Sequence, residues 1–169
     1  MIINNTDRII QKAHSAVRKA GSRNPDQIAQ ALGIIILERN LGGTKGFYTI
    51  KKRSRFVVLN DQLESGMRDI VLLHEIGHDQ LHRSEAQHVG AIDLFQTETG
   101  HMEDEANLFA AEISLPDEDI LKLIYQERNT NEIAGIMESN VNLVSLKVKD
   151  LVRRGHILIV PRYDRRFLE

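Results

Sequence analysis

Two histidines and a glutamate in residues 63–82 have the types and spacing needed for metal-dependent hydrolysis. The segment is LESGMRDIVLLHEIGHDQLH, and it places His74, Glu75 and His78 in an HExxH pattern. Residues four apart lie on one face of a helix, so two imidazoles at this spacing can bind one tetrahedral cation at about 2 Å. The carboxylate of Glu75, offset by one residue, can accept a proton from a water on that cation. The pattern therefore predicts a zinc-dependent hydrolase.

The apolar residues of the same segment indicate that it is helical. Met67, Ile70, Val71 and Leu81 recur with both histidines at i, i+3, i+4 and i+7. A chance motif on an amphipathic helix, with histidines that are ordinary core residues, is the alternative. With 7 histidines in 169 residues, roughly 0.02 chance matches are expected, so we favour the metal site.

A catalytic zinc site needs a third protein ligand. The HExxHxxGxxH arrangement is excluded, because Leu81 and Ser84 stand where its glycine and third histidine would be. His82 lies two turns beyond His74 and is rotated by about 80° around the helix, which suits a supporting role. Residues 101–116, HMEDEANLFAAEISLP, predict a second helix that ends before a proline.

Glu103 on this second helix is the predicted third ligand. It shares a helix face with Asn107, so its carboxylate can reach the cation while Asn107 hydrogen-bonds a ligand histidine. The small side chain of Ala106 and its alanine neighbours allow close approach to the first helix, opposite Gly77. Glu105 is the competing choice, but it points to a different side of the helix and is more typical of a solvated surface charge.

The two segments together resemble the ImmA/IrrE-type metallopeptidases. The family pattern is HE(I/L)GHxxLH, a variable spacer and ExxA(N/S/D)xFAxxLLxP, which is similar to HEIGHDQLH and EDEANLFAAEISLP in this chain. The similarity covers residues 55–116. The resemblance implies that His74, His78 and Glu103 bind zinc and that Glu75 is the catalytic base.

The resemblance also implies a function. Family members cleave helix-turn-helix repressors of phages, integrated elements or stress regulons, so we expect a cytoplasmic zinc endopeptidase with a repressor-like protein substrate. Ile113 and Ser114 depart from the usual leucine pair, and neither is expected to touch the metal. The alternative is a transcription regulator or interaction module with a vestigial or sensory zinc site. The presence of Glu75 beside a complete ligand set favours the enzyme.

The rest of the first 116 residues predicts an α+β fold. Residues 4–20 and 24–33 have helical periodicity, and Asn24-Pro25 is typical of a helix start. β-branched runs predict three strands, at residues 33–38, 46–50 and 55–60. We expect a zincin-like core in which these strands form a small antiparallel sheet packed on the HExxH helix.

An outer strand of such a sheet can pair with an extended peptide substrate. Residues 56–59 are the predicted edge, with coverage by a neighbouring loop as an equally weighted alternative. His88, His101 and Tyr48 are candidate donors to the developing oxyanion. A surface position is the simpler interpretation of both histidines, as it is for His14.

The composition changes beyond Pro116, which divides the chain into a peptidase domain at residues 1–116 and a C-terminal region at residues 117–169. Helices are predicted at residues 117–127, 130–138 and 141–154, followed by a strand at 157–160, which together resemble a winged helix-turn-helix. The third helix is basic, with Lys147, Lys149, Arg153 and Arg154. Asp150 interrupts the basic residues, so a solvated helix face and a packing or repressor-docking role are favoured over DNA binding, and any DNA contact is expected to be weak.

Composition limits the remaining possibilities. The chain has 169 residues, a net charge of −2 and no cysteine, so any zinc must be held by nitrogen and oxygen ligands. The charge gives no overall attraction to nucleic acid or membrane. Since no apolar run approaches about 18 residues, neither a signal peptide nor a membrane span is expected. The sequence sets no oligomeric state.

Overall fold

The computed structural model describes residues 5–84 and 99–158. These residues form seven helices: α1 (Asn5–Ala20), α2 (Pro25–Leu32), α3 (Ser65–Leu81), α4 (Thr99–Ser114), α5 (Asp117–Tyr125), α6 (Thr130–Ile136) and α7 (Val141–Arg153). The strands are β1 (Ile34–Arg39), β2 (Gly46–Lys51) and β3 (Ser54–Asn60). Backbone contacts divide the chain into two units, Met1–Ser114 and Leu115–Glu169. The predicted α+β class is confirmed, and no helix of the described residues is long and apolar enough to span a membrane.

The limits of α2 follow from the residues at its two ends. The Asn24 side chain accepts a hydrogen bond from the backbone N–H of Gln27, and Pro25 occupies the first turn. Gly33 ends the helix in a left-handed conformation, with φ of +72°. The chain then enters β1 directly, so this cap sets the start of the sheet.

The sheet is mixed, in the order β1-β3-β2. β2 and β3 are antiparallel and joined by a tight turn in which Lys52 and Arg53 both have positive φ. β1 and β3 are parallel, so the predicted wholly antiparallel sheet is wrong. After β1 the chain forms β2 at the other edge of the sheet and then turns back through the hairpin into β3. β3 is thereby inserted beside β1 and runs in the same direction.

The predicted edge at residues 56–59 is also wrong, because β3 is the central strand. Val57, Val58 and Leu59 are consecutive in the sequence and all buried. Consecutive side chains of a strand point to opposite faces, so burial of all three means that both faces of β3 are covered. Among the described strands, the edges are β1 and β2.

The helix α3 lies at the centre of the first unit. Its residues Leu72, Leu73 and Ile76 are almost fully buried and belong to one apolar cluster with side chains of α1, α2, α4 and the sheet. Such a helix has little freedom to shift or rotate, because close-packed neighbours restrain it on several sides. The histidines that α3 carries are therefore held on a fixed scaffold.

The contact between α3 and α4 depends on Gly77. A Cβ atom at this position would lie 3.1 Å from the Cα atom, 3.2 Å from the carbonyl oxygen and 3.3 Å from the Cβ atom of Ala106. The two helix backbones are thus closer than a residue with a Cβ atom would ordinarily permit. This confirms the expectation that small residues on α4 face Gly77.

The second unit contains α5, α6 and α7. Asn129 and Glu132 form a capping box at the start of α6, and Asn140 caps α7. Gly155, with φ of +98°, follows the end of α7 as predicted. Residues 156–158 have no regular secondary structure and 159–160 lie outside the described residues, so the winged helix-turn-helix remains a prediction.

The basic residues of α7 are only in part a solvated face, which corrects the prediction for one of them: Lys149 is exposed, whereas Lys147 is buried. The Lys147 side chain is fully buried and its Nζ atom lies 2.5 Å from Asp117 Oδ1. Arg154 pairs with the same carboxylate and with Asp150, and Arg153 pairs with Asp150. Three of these four cations therefore pair with two carboxylates within the unit.

We predict that Gly77→Leu destabilises the protein, whereas Gly100→Leu does not. Both glycines are in helices and both changes raise helix propensity, but a Cβ atom at Gly100 would meet nothing within 4 Å. Overpacking against Ala106 is expected to cost at least about 1–3 kcal/mol. Urea unfolding monitored by circular dichroism measures the difference, and equal midpoints for the two variants would contradict the close contact.

Candidate active site

Helices α3 and α4 bring His74, His78 and Glu103 together. One possible ligand atom from each side chain lies within 4.8 Å of the others. The Nε2 atoms of the two histidines are 3.0 Å apart, and the Glu103 carboxylate oxygens lie 3.1 Å from His74 Nε2 and 3.3 Å from His78 Nε2. Within the described ranges, no other group of three His, Cys, Asp or Glu side chains is arranged to bind a metal ion.

The tautomer of His74 is set by Asn107. His74 Nδ1 lies 2.9 Å from the Asn107 side-chain oxygen. Because an amide oxygen only accepts, Nδ1 carries the proton and Nε2 is free to present its lone pair to a cation. The predicted hydrogen bond between Asn107 and His74 is confirmed, and it orients the ring so that Nε2 can face a cation.

The electrostatics of the cluster fit a cation. Hydrogen bonding with His74, and then with His78, holds the pKa of Glu103 well below its usual value. Burial acts to lower the pKa of His74, but hydrogen bonding with Glu103 and attraction to Glu75 outweigh it and leave that pKa raised. Without a metal, protons thus supply the positive charge that the carboxylates attract. Metal binding is expected to displace them.

Glu75 lies beside the cluster rather than in it. The residue is buried, with 8% of its surface exposed, and its carboxylate accepts a hydrogen bond from the backbone N–H of Tyr48 on β2. Burial raises the pKa of Glu75, and the charges of His74 and His78 oppose that shift. The carboxylate is therefore anchored at the edge of the sheet and more basic than a free glutamate.

Glu105 is not a solvated surface charge, so that interpretation is wrong. Its side chain is only 12% exposed. It accepts a hydrogen bond from Asn5 at 2.7 Å and lies 2.7 Å from His101 Nδ1 and 3.6 Å from His82 Nε2. The packing of α1 against α4 covers Glu105. The position of this residue on α4 alone did not predict that burial. Glu105 supports the contact between helices, and His82, which is buried, has the supporting place predicted for it.

Two of the candidate oxyanion donors, Tyr48 and His101, lie outside the cluster of His74, His78 and Glu103. The Tyr48 hydroxyl donates to Asp79 Oδ1 at 2.7 Å and is buried. His101 is 75% exposed and paired with Glu105, and the His14 side chain is paired with Glu112. His88 lies outside the described residues.

Sequence analysis missed a buried ionic network behind the active-site helix. Asp79, directly after His78, is fully buried and lies 2.9 Å from guanidinium nitrogens of both Arg55 and Arg83. Tyr48 adds a hydrogen bond to the same carboxylate. The only signal in the sequence was an aspartate on the inward side of an amphipathic helix, which requires a buried partner.

An HExxH helix with a carboxylate from a second helix, packed on a small sheet, defines a metallopeptidase type of site. Residues 29–145 match the family model of the IrrE N-terminal-like domain, a peptidase family. An uncharacterised immunity region protein of Bacillus phage phi105 is 32% identical over 133 residues, which are 78% of this chain and 83% of that protein. The chain belongs to the IrrE N-terminal-like domain family, as its resemblance to the ImmA/IrrE-type metallopeptidases predicted.

The fold is also similar to a solved structure. A Mycobacterium tuberculosis transcriptional regulator superposes with a TM-score of 0.57 at 14% sequence identity. The match covers 84% of this chain but 46% of that regulator, so the chain spans less than half of its length. At this identity the similarity establishes the shared fold.

We predict that Glu103→Ala lowers zinc affinity by more than about tenfold, since loss of a ligand should exceed the loss of a supporting hydrogen bond. Asp104→Ala, next to it on the same helix and exposed, should retain one zinc per chain. Competition with a chromophoric chelator measures both affinities. Stoichiometric zinc at wild-type affinity in Glu103→Ala, with loss of zinc in Glu105→Gln, would assign the third ligand to Glu105 instead.

Proposed function

We propose that this chain is a zinc-dependent endopeptidase that hydrolyses a peptide bond in a helix-turn-helix repressor. The observation that carries the proposal is the cluster of His74, His78 and Glu103 with the Glu75 carboxylate held beside it. Membership of a peptidase family supports the reaction class. The relative from a phage immunity region supports a regulatory setting in which a repressor is the substrate.

The donor set suits zinc. Two imidazole nitrogens and one carboxylate oxygen are ligands of catalytic zinc sites, which keep a fourth position open. When bound, zinc polarises the substrate carbonyl and lowers the pKa of a water in that open position. His74, His78 and Glu103 would hold the ion, and Asn107 keeps His74 in the binding tautomer.

Glu75 has the role of proton carrier. Burial raises the pKa of the Glu75 carboxyl, and a general base is most effective when its pKa is near the working pH. The Tyr48 N–H fixes the carboxylate toward β2. Glu75 takes the proton of the attacking water and then transfers it to the leaving amine, so one side chain serves both halves of the reaction.

The outer edge of β2, which pairs with no other described strand, supports binding of an extended substrate. Lys45 accepts a hydrogen bond from the backbone N–H of Asn60, so alternate positions from Lys45 onward bond to β3, and Gly46, Tyr48 and Ile50 direct their backbone groups away from it. Tyr48 uses its N–H to hold Glu75. A peptide paired along this edge would therefore lie next to the catalytic carboxylate.

The C-terminal unit is proposed to position the partner rather than to read DNA. Lys147 in α7 and Arg154, which directly follows the helix, are paired with Asp117, so neither charge is freely available to phosphates. Weak DNA contact that salt abolishes is compatible with this role. Tight, sequence-selective binding is not.

A regulator with a sensory zinc site is the alternative function. Such a protein needs the metal ligands but has no use for a buried, basic carboxylate beside the open position. Burial of the Glu75 carboxylate destabilises the fold, and the sensor hypothesis gives no reason for that burial. The endopeptidase hypothesis therefore explains Glu75 as well as the metal ligands, whereas the sensor hypothesis explains only the ligands.

We predict that Glu75→Gln retains fold and zinc but lowers cleavage by at least about 10² to 10⁴-fold, because glutamine cannot accept the proton of the water. The substrates are a helix-turn-helix repressor from a phage immunity region and a peptide mixture from a bacterial lysate, with products read by mass spectrometry. Glu64→Gln, the same change at an exposed position just before α3, is the matched control. Cleavage by zinc-loaded Glu75→Gln at the wild-type rate would refute the mechanism.

A further inference from the structure

A pocket lined by arginines lies at the hairpin end of β2. It has a volume of about 400 Å³ and is lined by Ile50, Arg53, Arg55 and Arg83. We propose that this arginine pocket binds an acidic side chain of the peptide substrate, two or three residues from the bond that is cut. The proposal rests on the proposed endopeptidase function and adds a specificity site to it.

The pocket carries an excess of positive charge. Arg55 and Arg83 share a single carboxylate, that of the buried Asp79, so their two charges are only half neutralised. Arg53 is exposed and forms no ion pair with a described residue. Among the described residues, three guanidinium groups thus lie near one carboxylate, and a second carboxylate entering the pocket would be attracted.

The position of the pocket relative to Glu75 follows from two independent elements. On β2, Tyr48 contacts Glu75 through its N–H, and Ile50 lines the pocket two residues further along, a distance of about 7 Å. On α3, Asp79 lies one helical turn beyond Glu75 and holds the pocket arginines. The positions on β2 and on α3 therefore both place the arginine pocket close to Glu75.

A peptide on the outer edge of β2 would carry its side chains past this pocket. The backbone groups of Ile50 face that edge, so a paired peptide residue lies beside Ile50. Successive residues of the peptide are spaced by about 3.3 Å, which places the pocket within two or three residues of the scissile bond. The planar guanidinium groups can bind an aspartate or glutamate through paired hydrogen bonds.

An acidic peptide fits the pocket better than a nucleic acid does. The site is a pocket of about 400 Å³ with the apolar side chain of Ile50 as one wall, and Ile50 lies two residues along β2 from Tyr48, whose N–H contacts Glu75. A phosphate backbone is bound by cations spread along an extended surface, and the chain has a net charge of −2. The pocket instead matches one side chain with a carboxylate at its end.

The test is cleavage-site profiling with zinc-loaded full-length protein. A chymotryptic peptide mixture from a bacterial lysate is digested with the wild type, Arg53→Gln and Lys52→Gln, and the cut positions are identified by mass spectrometry. Arg53 is chosen because Arg55 and Arg83 also hold Asp79, and their loss would disturb the fold. Lys52 removes the same charge from the same turn but does not line the pocket.

We expect wild-type cuts to be enriched in Asp or Glu at one fixed position two or three residues from the scissile bond. Arg53→Gln should reduce the enrichment about fivefold, the effect of roughly 1 kcal/mol, whereas Lys52→Gln should keep it. Cleavage without acidic enrichment, or enrichment that survives Arg53→Gln, overturns the pocket while leaving the endopeptidase function intact.

A binding measurement separates the remaining outcomes. Fluorescence anisotropy compares a labelled peptide that contains one glutamate with the same peptide containing glutamine, on zinc-loaded Glu75→Gln. Absence of cleavage by the wild type would count against the proposed function, yet a glutamate preference lost in the Arg53→Gln double variant would still support the pocket. No glutamate preference, or an Arg53 effect confined to a labelled DNA duplex, would overturn it.

Discussion

The close contact of α3 and α4 at Gly77 is the constraint on which the candidate site depends. Glu103 reaches the two histidines only because the backbones approach until a Cβ atom on Gly77 would lie 3.1 Å from Ala106. The same approach brings Asn107 within 2.9 Å of His74. Ligand geometry and ring orientation are thus both consequences of one interhelical distance, and a larger residue at either small position would separate the donors.

The helices and the convergence of His74, His78 and Glu103 were predictable because their signals are local. The HExxH spacing places His74 and His78 on one face of any helix, and the limits of α2 are set by Asn24 and Gly33, which are visible in the sequence. The position of Glu103 was also predictable, since the alanines of α4 show which of its faces approaches α3. Each of these inferences needs only one helix or one pair of neighbouring helices.

The sheet order and the ionic network were not predictable, because both depend on contacts between distant parts of the chain. The residue pattern within each strand is the same whether the strands pair in sequence order or β3 lies between β1 and β2. Asp79 finds Arg55 24 positions earlier, and Lys147 is buried because Asp117 faces it. A charged residue in the sequence does not show whether a partner will accompany it into the interior.

The most direct test of the account is the position of the metal itself. Anomalous scattering at the zinc absorption edge, from crystals of the zinc-loaded chain, locates the ion without reference to activity. We expect one strong peak at about 2.0–2.2 Å from Nε2 of His74, Nε2 of His78 and a carboxylate oxygen of Glu103, with Glu75 close by but not bound. A zinc ion coordinated by Glu75 or Glu105 in place of Glu103 would contradict the account.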